Sequence, residues 1–495
     1  TTIFDIGLII LQVLISVFLI YKFLKSNFYK KFINTLKSFR KIQGVLTFFK
    51  NKNVQTFMIG LSYIVQIYFL FDYVRTKAVR IPRFIDEYIT IAAVDSFFFK
   101  GLDFNAGEFL GGNYSLQITS GPISAVGSVI GLNITDKLII ARISNFTWVY
   151  LLQIIFMLLI IKLYGTDLKF LLLINGLFLV LIPWWFGSLY SLGEIPSALI
   201  FINAIFLFNK QRILATILFS VCIFYGKLLN LVPFVGFYIM ILLKERNLKN
   251  ILKDFLYFSI PLSSWLLLAN IKYENGNVFQ YIKDQYNFVL AHRSSGIAIQ
   301  GEGFVNTFVN SILFSEYSTW NNFDKFRVIF VPIIFIFILL KNKYQINQFF
   351  GYIVTPLISS LLFSYIWFWI LNSTKWIRHT QHYIIPIIIC LVYLINFKII
   401  ESKIDLLMGV SLLAIFIENN KYLILLSILI SIYIIYFIKE SSRYSLVKFF
   451  LVFILFIDIS IPYFQKDTFG NLNHIIQDCK TELVSSECRS AYMNE

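Results

Sequence analysis

Membrane-length apolar stretches recur along this chain, separated by short basic connectors. The first, Ile3–Leu24, is long enough to cross a bilayer at about 20 residues per crossing. A second, Phe57–Val74, follows a basic segment. Further stretches are Leu138–Leu163, Leu168–Phe186, Glu194–Phe208, Ile213–Leu229, Val232–Leu243, Phe255–Ile271, Val328–Leu340, Phe349–Leu371, Tyr383–Phe397, Leu406–Ile417, Tyr422–Ile438 and Val447–Tyr463. A soluble fold cannot hide that much apolar surface, with 58% of residues hydrophobic and 14% charged. In lipid the backbone must satisfy its own hydrogen bonds, which favours helices. The expectation is an all-α polytopic membrane protein of about 14 spans, several of them short enough to be tilted or re-entrant.

The net charge of +16 does not point to nucleic acid, because the basic residues gather between apolar stretches. Lys25–Lys52 carries eight Lys or Arg and no acid, which places it in the cytoplasm and the N-terminus outside. Phe28, Phe32, Leu36 and Phe39 recur there at helical spacing, as in a helix lying on the inner leaflet. The connectors Lys210–Arg212, Lys244–Lys253, Lys341–Lys343, Lys398–Lys403 and Lys439–Arg443 all fall on that same side. The expected organisation is an N-terminal span with a basic amphipathic segment (1–56), a transmembrane domain (57–463) with outer loops 75–137 and 273–327, and an outer tail (464–495). Cys479 and Cys488 in that tail could close a disulfide if it faces an oxidising compartment, whereas Cys222 and Cys390 lie in apolar spans.

The outer loops hold the candidate chemistry. Asp86 and Glu87 are adjacent carboxylates just past the second span, at the head of an amphipathic helix over Asp86–Lys100 in which Ile85, Ile89, Ala92 or Ala93, and Ser96 share one side. A carboxylate there can take a proton from a hydroxyl, or simply favour a helix N-terminus. Gly111-Gly112 and Ser120-Gly121-Pro122 are turn signals. A second cluster, Lys375, Arg378, His379 and His382, flanks a late span, with Arg378 and His382 at i, i+4; it suits phosphate or serves as a charged collar. Lys227 is an intramembrane charge, so it is either functional or snorkelling to an interface. Arg293 is a further phosphate contact or a polar loop residue. Glu194 reads as an ordinary acid at a helix start, beside Pro196.

The Asp86-Glu87 pair after an early span, the Tyr114-Ser115-Leu116-Gln117-Ile118-Thr119-Ser120-Gly121-Pro122 stretch and the late Arg378-His379-Thr380-Gln381-His382-Tyr383-Ile384-Ile385-Pro386 segment resemble the C-type (GT-C) superfamily of membrane glycosyltransferases. That family includes protein O-mannosyltransferases and lipid A aminoarabinose transferases. The usual Arg-Tyr adjacency of the late motif is here split between Arg378 and His382-Tyr383. The resemblance implies a GT-C-like bundle with amphipathic helices in its outer loops and an inverting transfer from a polyprenyl-phosphate sugar to a hydroxyl on a glycan, lipid or protein. It also implies a bacterial inner membrane and a site facing the periplasm or exterior. Asp86 is then the base, Glu87 its partner, and Glu108 a secondary acid. Arg378, His382, His379, Lys375, Lys227 and Arg293 are candidates for the donor phosphate. No cofactor is required; Asp86, Glu87, Asp95 and Glu108 offer oxygens for a divalent cation, but nothing fixes its geometry. An O-antigen polymerase or ligase relying on Arg293 and Arg327, and a lipid-linked oligosaccharide flippase, are the alternatives.

Overall fold

The computed structural model describes residues 105–109, 112–115, 121–135, 138–165, 193–245, 247–272, 277–283, 322–371, 377–416, 421–438 and 440–464. It also describes isolated positions within 54–64, 90–95, 173–176, 188–191 and 286–287. The amphipathic segment Lys25–Lys52 and the cysteines Cys479 and Cys488 lie outside them.

One departure from the all-α expectation is in the first outer loop. Strands β1 (Asn105–Phe109) and β2 (Gly112–Ser115) pair antiparallel, with Asn105 opposite Ser115 and Phe109 opposite Gly112. Only two residues separate them, and the Gly111-Gly112 signal had marked the turn but not the ladder. Nearby, Thr90, Ile91, Val94 and Asp95 are helical, as expected of Asp86–Lys100. The buried positions are Thr90, Ile91 and Val94, on the face opposite the Ile85, Ile89, Ala92 and Ser96 stripe. Ile91 and Val94 pack with Ala125 and Val129, so it is docking against the segment around Ala125–Val129 that selects this face.

The helices follow in order: α1 (Val126–Thr135), α2 (Leu138–Tyr164), α3 (Glu194–Leu207), α4 (Arg212–Val221), α5 (Leu231–Lys244), α6 (Leu248–Lys272) and α7 (Asn322–Lys341). After them come α8 (Lys343–Phe350), α9 (Val354–Ile366), α10 (Gln381–Asn396), α11 (Lys403–Ala414), α12 (Lys421–Phe437) and α13 (Glu440–Phe464). All residues of α3 and of α10 are buried, as befits helices that are apolar on every face. These two form the centre of the bundle, with α2, α4, α7, α9, α11 and α13 packed against one or the other.

Among the described residues, Ile139–Tyr164 and Leu248–Ile271 are long and apolar enough to cross a membrane. Arg327–Lys341 with Lys343–Phe350 makes a third only as a pair bent by 78°. Six further apolar helices have 10–17 residues. The span expected at Phe349–Leu371 begins instead at Val354. Gly351 takes the left-handed φ of 80°, which ends α8 as glycine readily does. Asn209 Nδ2 donates to Phe350 O there, at 2.9 Å.

The basic connectors meet at one end of the bundle. Arg212 donates to Asp254 through Nε at 2.8 Å and Nη2 at 2.7 Å, and to Glu245 through Nη1 at 2.7 Å. Lys341 Nζ donates to Asp405 at 2.6 Å, Lys448 Nζ to Asn396 Oδ1 at 2.8 Å, and Lys244 lies over the Tyr352 ring. The rings of Tyr164, Phe206, Phe350 and Phe397 interlock at the same end. We call this the basic end, and the opposite one the loop end.

Candidate functional site

The fold breaks a helix at Lys227. α4 runs into a π-helical turn, Cys222–Gly226, and Lys227 then adopts an extended conformation, φ −127° and ψ 121°. A short 3-10 turn, Leu228–Asn230, restarts the helix as α5. Such π turns gather at functional sites. A break inside an apolar bundle strands backbone carbonyls that nothing in lipid can satisfy, and here the chain supplies partners. Gly226 O accepts from the Gly121 backbone N–H at 2.6 Å and from the Ser124 hydroxyl at 3.4 Å. Lys227 O accepts from the Asn230 backbone N–H at 3.0 Å and from its Nδ2 at 3.1 Å.

The turn that begins at Gly121-Pro122 is therefore a plug for the broken helix. A Cβ on Gly121 would fall 2.6 Å from Tyr225 Cα, so only glycine permits the approach. Trp148 Nε1 on α2 donates to Ile123 O at 3.2 Å and holds the turn from the other side. The third segment is the start of α3. Gly193, at φ 83°, turns the chain so closely against Ser124 that a Cβ would collide with its hydroxyl, and Glu194 follows as the first helical residue. Its carboxylate lies 3.3 Å from Lys227 Nζ, with side-chain exposures of 3% and 13%. Three stretches far apart in sequence thus meet around one nearly dry ion pair.

Helix register brings the late motif to the same layer. α3 and α10 run in parallel, tied where Tyr393 OH donates to Asn203 Oδ1 at 2.8 Å. Glu194 lies nine residues before Asn203 and His382 eleven before Tyr393, so they stand at roughly 14 and 17 Å of rise above that tie. α5 and α9 run antiparallel: Lys244 meets Tyr352, and a Cβ on Gly236 would fall 2.7 Å from Ser359 O. Continued outward, that register sets Asn230 across from the end of α9 and Lys227 across from a second π-helical turn, Trp367–Leu371. Trp367 packs edge-on to His382, with ring centroids 5.3 Å apart, and tilts against His379 at 6.0 Å. His382, Tyr383 and Trp369 are buried, and His379 is half-buried.

The crystal structure of ArnT from Cupriavidus metallidurans bound to undecaprenyl phosphate matches with a TM-score of 0.51 at 11% identity, covering 86% of this chain and 77% of that one. The chain has an ArnT-like fold. The apo state of the same ArnT gives a TM-score of 0.47 at 10% identity, covering 82% of this chain and 75% of that one. No family model and no curated protein matches the sequence.

On this ArnT-like fold the residues singled out from sequence divide into three groups. Lys227 and His382 share the loop-end layer with Gly121, and Lys227 is ion-paired there with Glu194. His379 sits at the edge of that layer. Arg378 belongs to the short 3-10 turn Ile377–Thr380 and Glu108 to β1, opposite Asn113, so their backbones are placed. Asp86, Glu87, Lys375 and Arg293 lie outside the described residues. Among the described residues, no group of three or more His, Cys, Asp or Glu is arranged to hold a metal ion.

Glu194 stands at the helix start read for it, and what the sequence did not show is its ion pair with Lys227. The missing signal was a partner, since a buried acid needs one and Lys227 was the nearest unassigned intramembrane charge. Sequence reasoning also passed over Arg142, which is buried in α2 beside Ala141, the residue whose carbonyl accepts from the Ser128 hydroxyl at 3.2 Å.

Proposed function

We propose that this chain is a GT-C-type inverting glycosyltransferase that moves a sugar from a polyprenyl-phosphate donor to an acceptor hydroxyl at the membrane–water boundary. The observation that carries the reading is the likeness of its fold to an ArnT whose crystal structure holds undecaprenyl phosphate. The loop-end layer adds chemistry that suits the donor, with a lysine at a helix break and an imidazole among aromatic rings.

In this mechanism Asp86 takes the acceptor's proton as its oxygen forms a bond to the anomeric carbon. The bond from that carbon to the phosphate oxygen breaks on the opposite face, and its electron pair leaves with polyprenyl phosphate. Lys227, with Arg378 and His382 as further candidates, balances the charge that accumulates on the leaving phosphate. Glu87 orients the acceptor. The polymerase or ligase alternative loses one of its arginines. Arg327 is buried and donates through Nε at 3.0 Å and Nη2 at 2.8 Å to Ile415 O, so it caps the end of α11.

The test is Asp86→Asn, which removes the base at nearly constant size. Transfer of sugar from a polyprenyl-phosphate donor should fall by about a hundredfold or more, while expression and thermal stability stay at the wild-type level. A folded Asp86→Asn variant with near-normal transfer would remove Asp86 from the mechanism.

A further inference from the structure

The ion pair between Lys227 and Glu194 sits where an anion from outside would also be welcome. The positive end of α3 points to this place, because Glu194 is its first residue. The Lys227 ammonium is fixed there by an extended residue between two helical segments, not by a flexible helix surface. Beside the break, Ser197 Oγ and Asn230 Oδ1 are buried with no hydrogen-bond partner among the described residues. Ser197 follows Glu194 by three residues on α3, so the two side chains lie on neighbouring turns of one face. A Cβ on Gly226 would collide with the Ser197 hydroxyl, which therefore lies against the break itself.

We propose that Glu194 is a positioning residue that occupies the anion site of Lys227 between turnovers, and that the donor's phosphate displaces it. This rests on the transferase reading above. An ammonium in so dry a place needs a counter-charge at all times. Glu194 supplies it while the site is empty and yields it when phosphate arrives. The freed carboxylate swings along α3 to the Ser197 hydroxyl, which has a proton to donate and no other partner among the described residues. When polyprenyl phosphate leaves, the carboxylate returns. The exchange leaves Lys227 with a counter-charge throughout and weakens binding of the spent carrier by the fraction of time that Lys227 is engaged by Glu194.

The measurement is equilibrium binding of a short-chain polyprenyl phosphate to the detergent-solubilised full chain, with thermal unfolding recorded for every variant. Glu194→Gln removes the competing charge, so affinity should tighten about tenfold. Lys227→Met should abolish binding. The double variant Glu194→Gln/Lys227→Met should recover part of the thermal stability lost by Lys227→Met, because the ion pair is then removed as a unit, without recovering binding. If Glu194→Gln folds poorly, Glu194→Asp, which withdraws the carboxylate by one methylene, should tighten binding to a smaller extent. Unchanged or weaker binding by folded Glu194→Gln or Glu194→Asp overturns the placeholder role. If the wild-type chain binds no polyprenyl phosphate, the transferase reading itself fails, and the two failures are told apart.

Discussion

Glu245, at the basic end, holds Arg212 beside Asp254 and carries a pH signature. The hydrogen bond from Arg212, followed by one from the Asn247 backbone N–H, draws its carboxyl below the ordinary value of 4.5. A group whose folded value is depressed lends stability that is fully present above its unfolded value and is lost as pH falls through the folded one. The thermal midpoint should therefore be flat from neutral pH to about pH 5 and decline below it. Glu245→Gln should lower the midpoint at neutral pH and make the acid decline shallower; an unchanged profile would mean that this bond contributes nothing. At this scale the sequence was legible only in part. Lys227 announced itself as a charge inside an apolar run, and Tyr114–Pro122 as a motif. That Lys227 would be joined by Glu194 was invisible, because the pairing depends on where a π turn ends and on a glycine at φ 83°. Neither leaves a periodic trace.

At the level of elements, hydropathy located the helices well. The stretches read at Leu138–Leu163, Glu194–Phe208, Tyr383–Phe397 and Tyr422–Ile438 lie within a residue or two of α2, α3, α10 and α12. Breaks were the harder feature, since Gly351 and Gly226-Lys227 interrupt runs that remain apolar on both sides. The β1–β2 ladder was missed because two strands of five and four residues are too short for alternation to be distinguished from loop polarity. The contact between the turn at Gly121-Pro122 and the broken helix is the element-level prediction. In Gly121→Ala the new methyl meets the Tyr225 backbone, which has no side chain to rotate away, so the turn must withdraw from Gly226 O. Overpacking of this kind costs about 1–3 kcal/mol. The variant should show a lower thermal midpoint and markedly reduced transfer, whereas Gly165→Ala, with nothing within 4 Å of its Cβ position, should lose only what its φ of 72° imposes. Equal losses in the two variants would mean that the approach at Gly121 is unimportant.

For the molecule as a whole, the alternation of connectors predicts that the basic end and the loop end face opposite sides of the membrane. The expectation that Lys25–Lys52 shares the basic side can be checked by cysteine accessibility. Cysteines placed at Ser26 and Ser115 should be labelled from opposite sides, and labelling of both from one side would overturn the topology. The layered arrangement was legible as a whole because charge asymmetry acts on every connector at once, whereas the depth of each short helix was not, since it depends on its neighbours. The hydrogen bond from Gly121 to Gly226 also bears on how such a chain is assembled. A ribosome makes the chain from its N-terminus, so the turn that caps the broken helix exists about a hundred residues before the break is synthesised. The carbonyl of Gly226 is thus made after the N–H of Gly121 that it accepts from. A carbonyl left bare in hydrocarbon costs several kcal/mol, and the order of synthesis spares the nascent protein that penalty. The plug comes first, and the helix is free to break because of it.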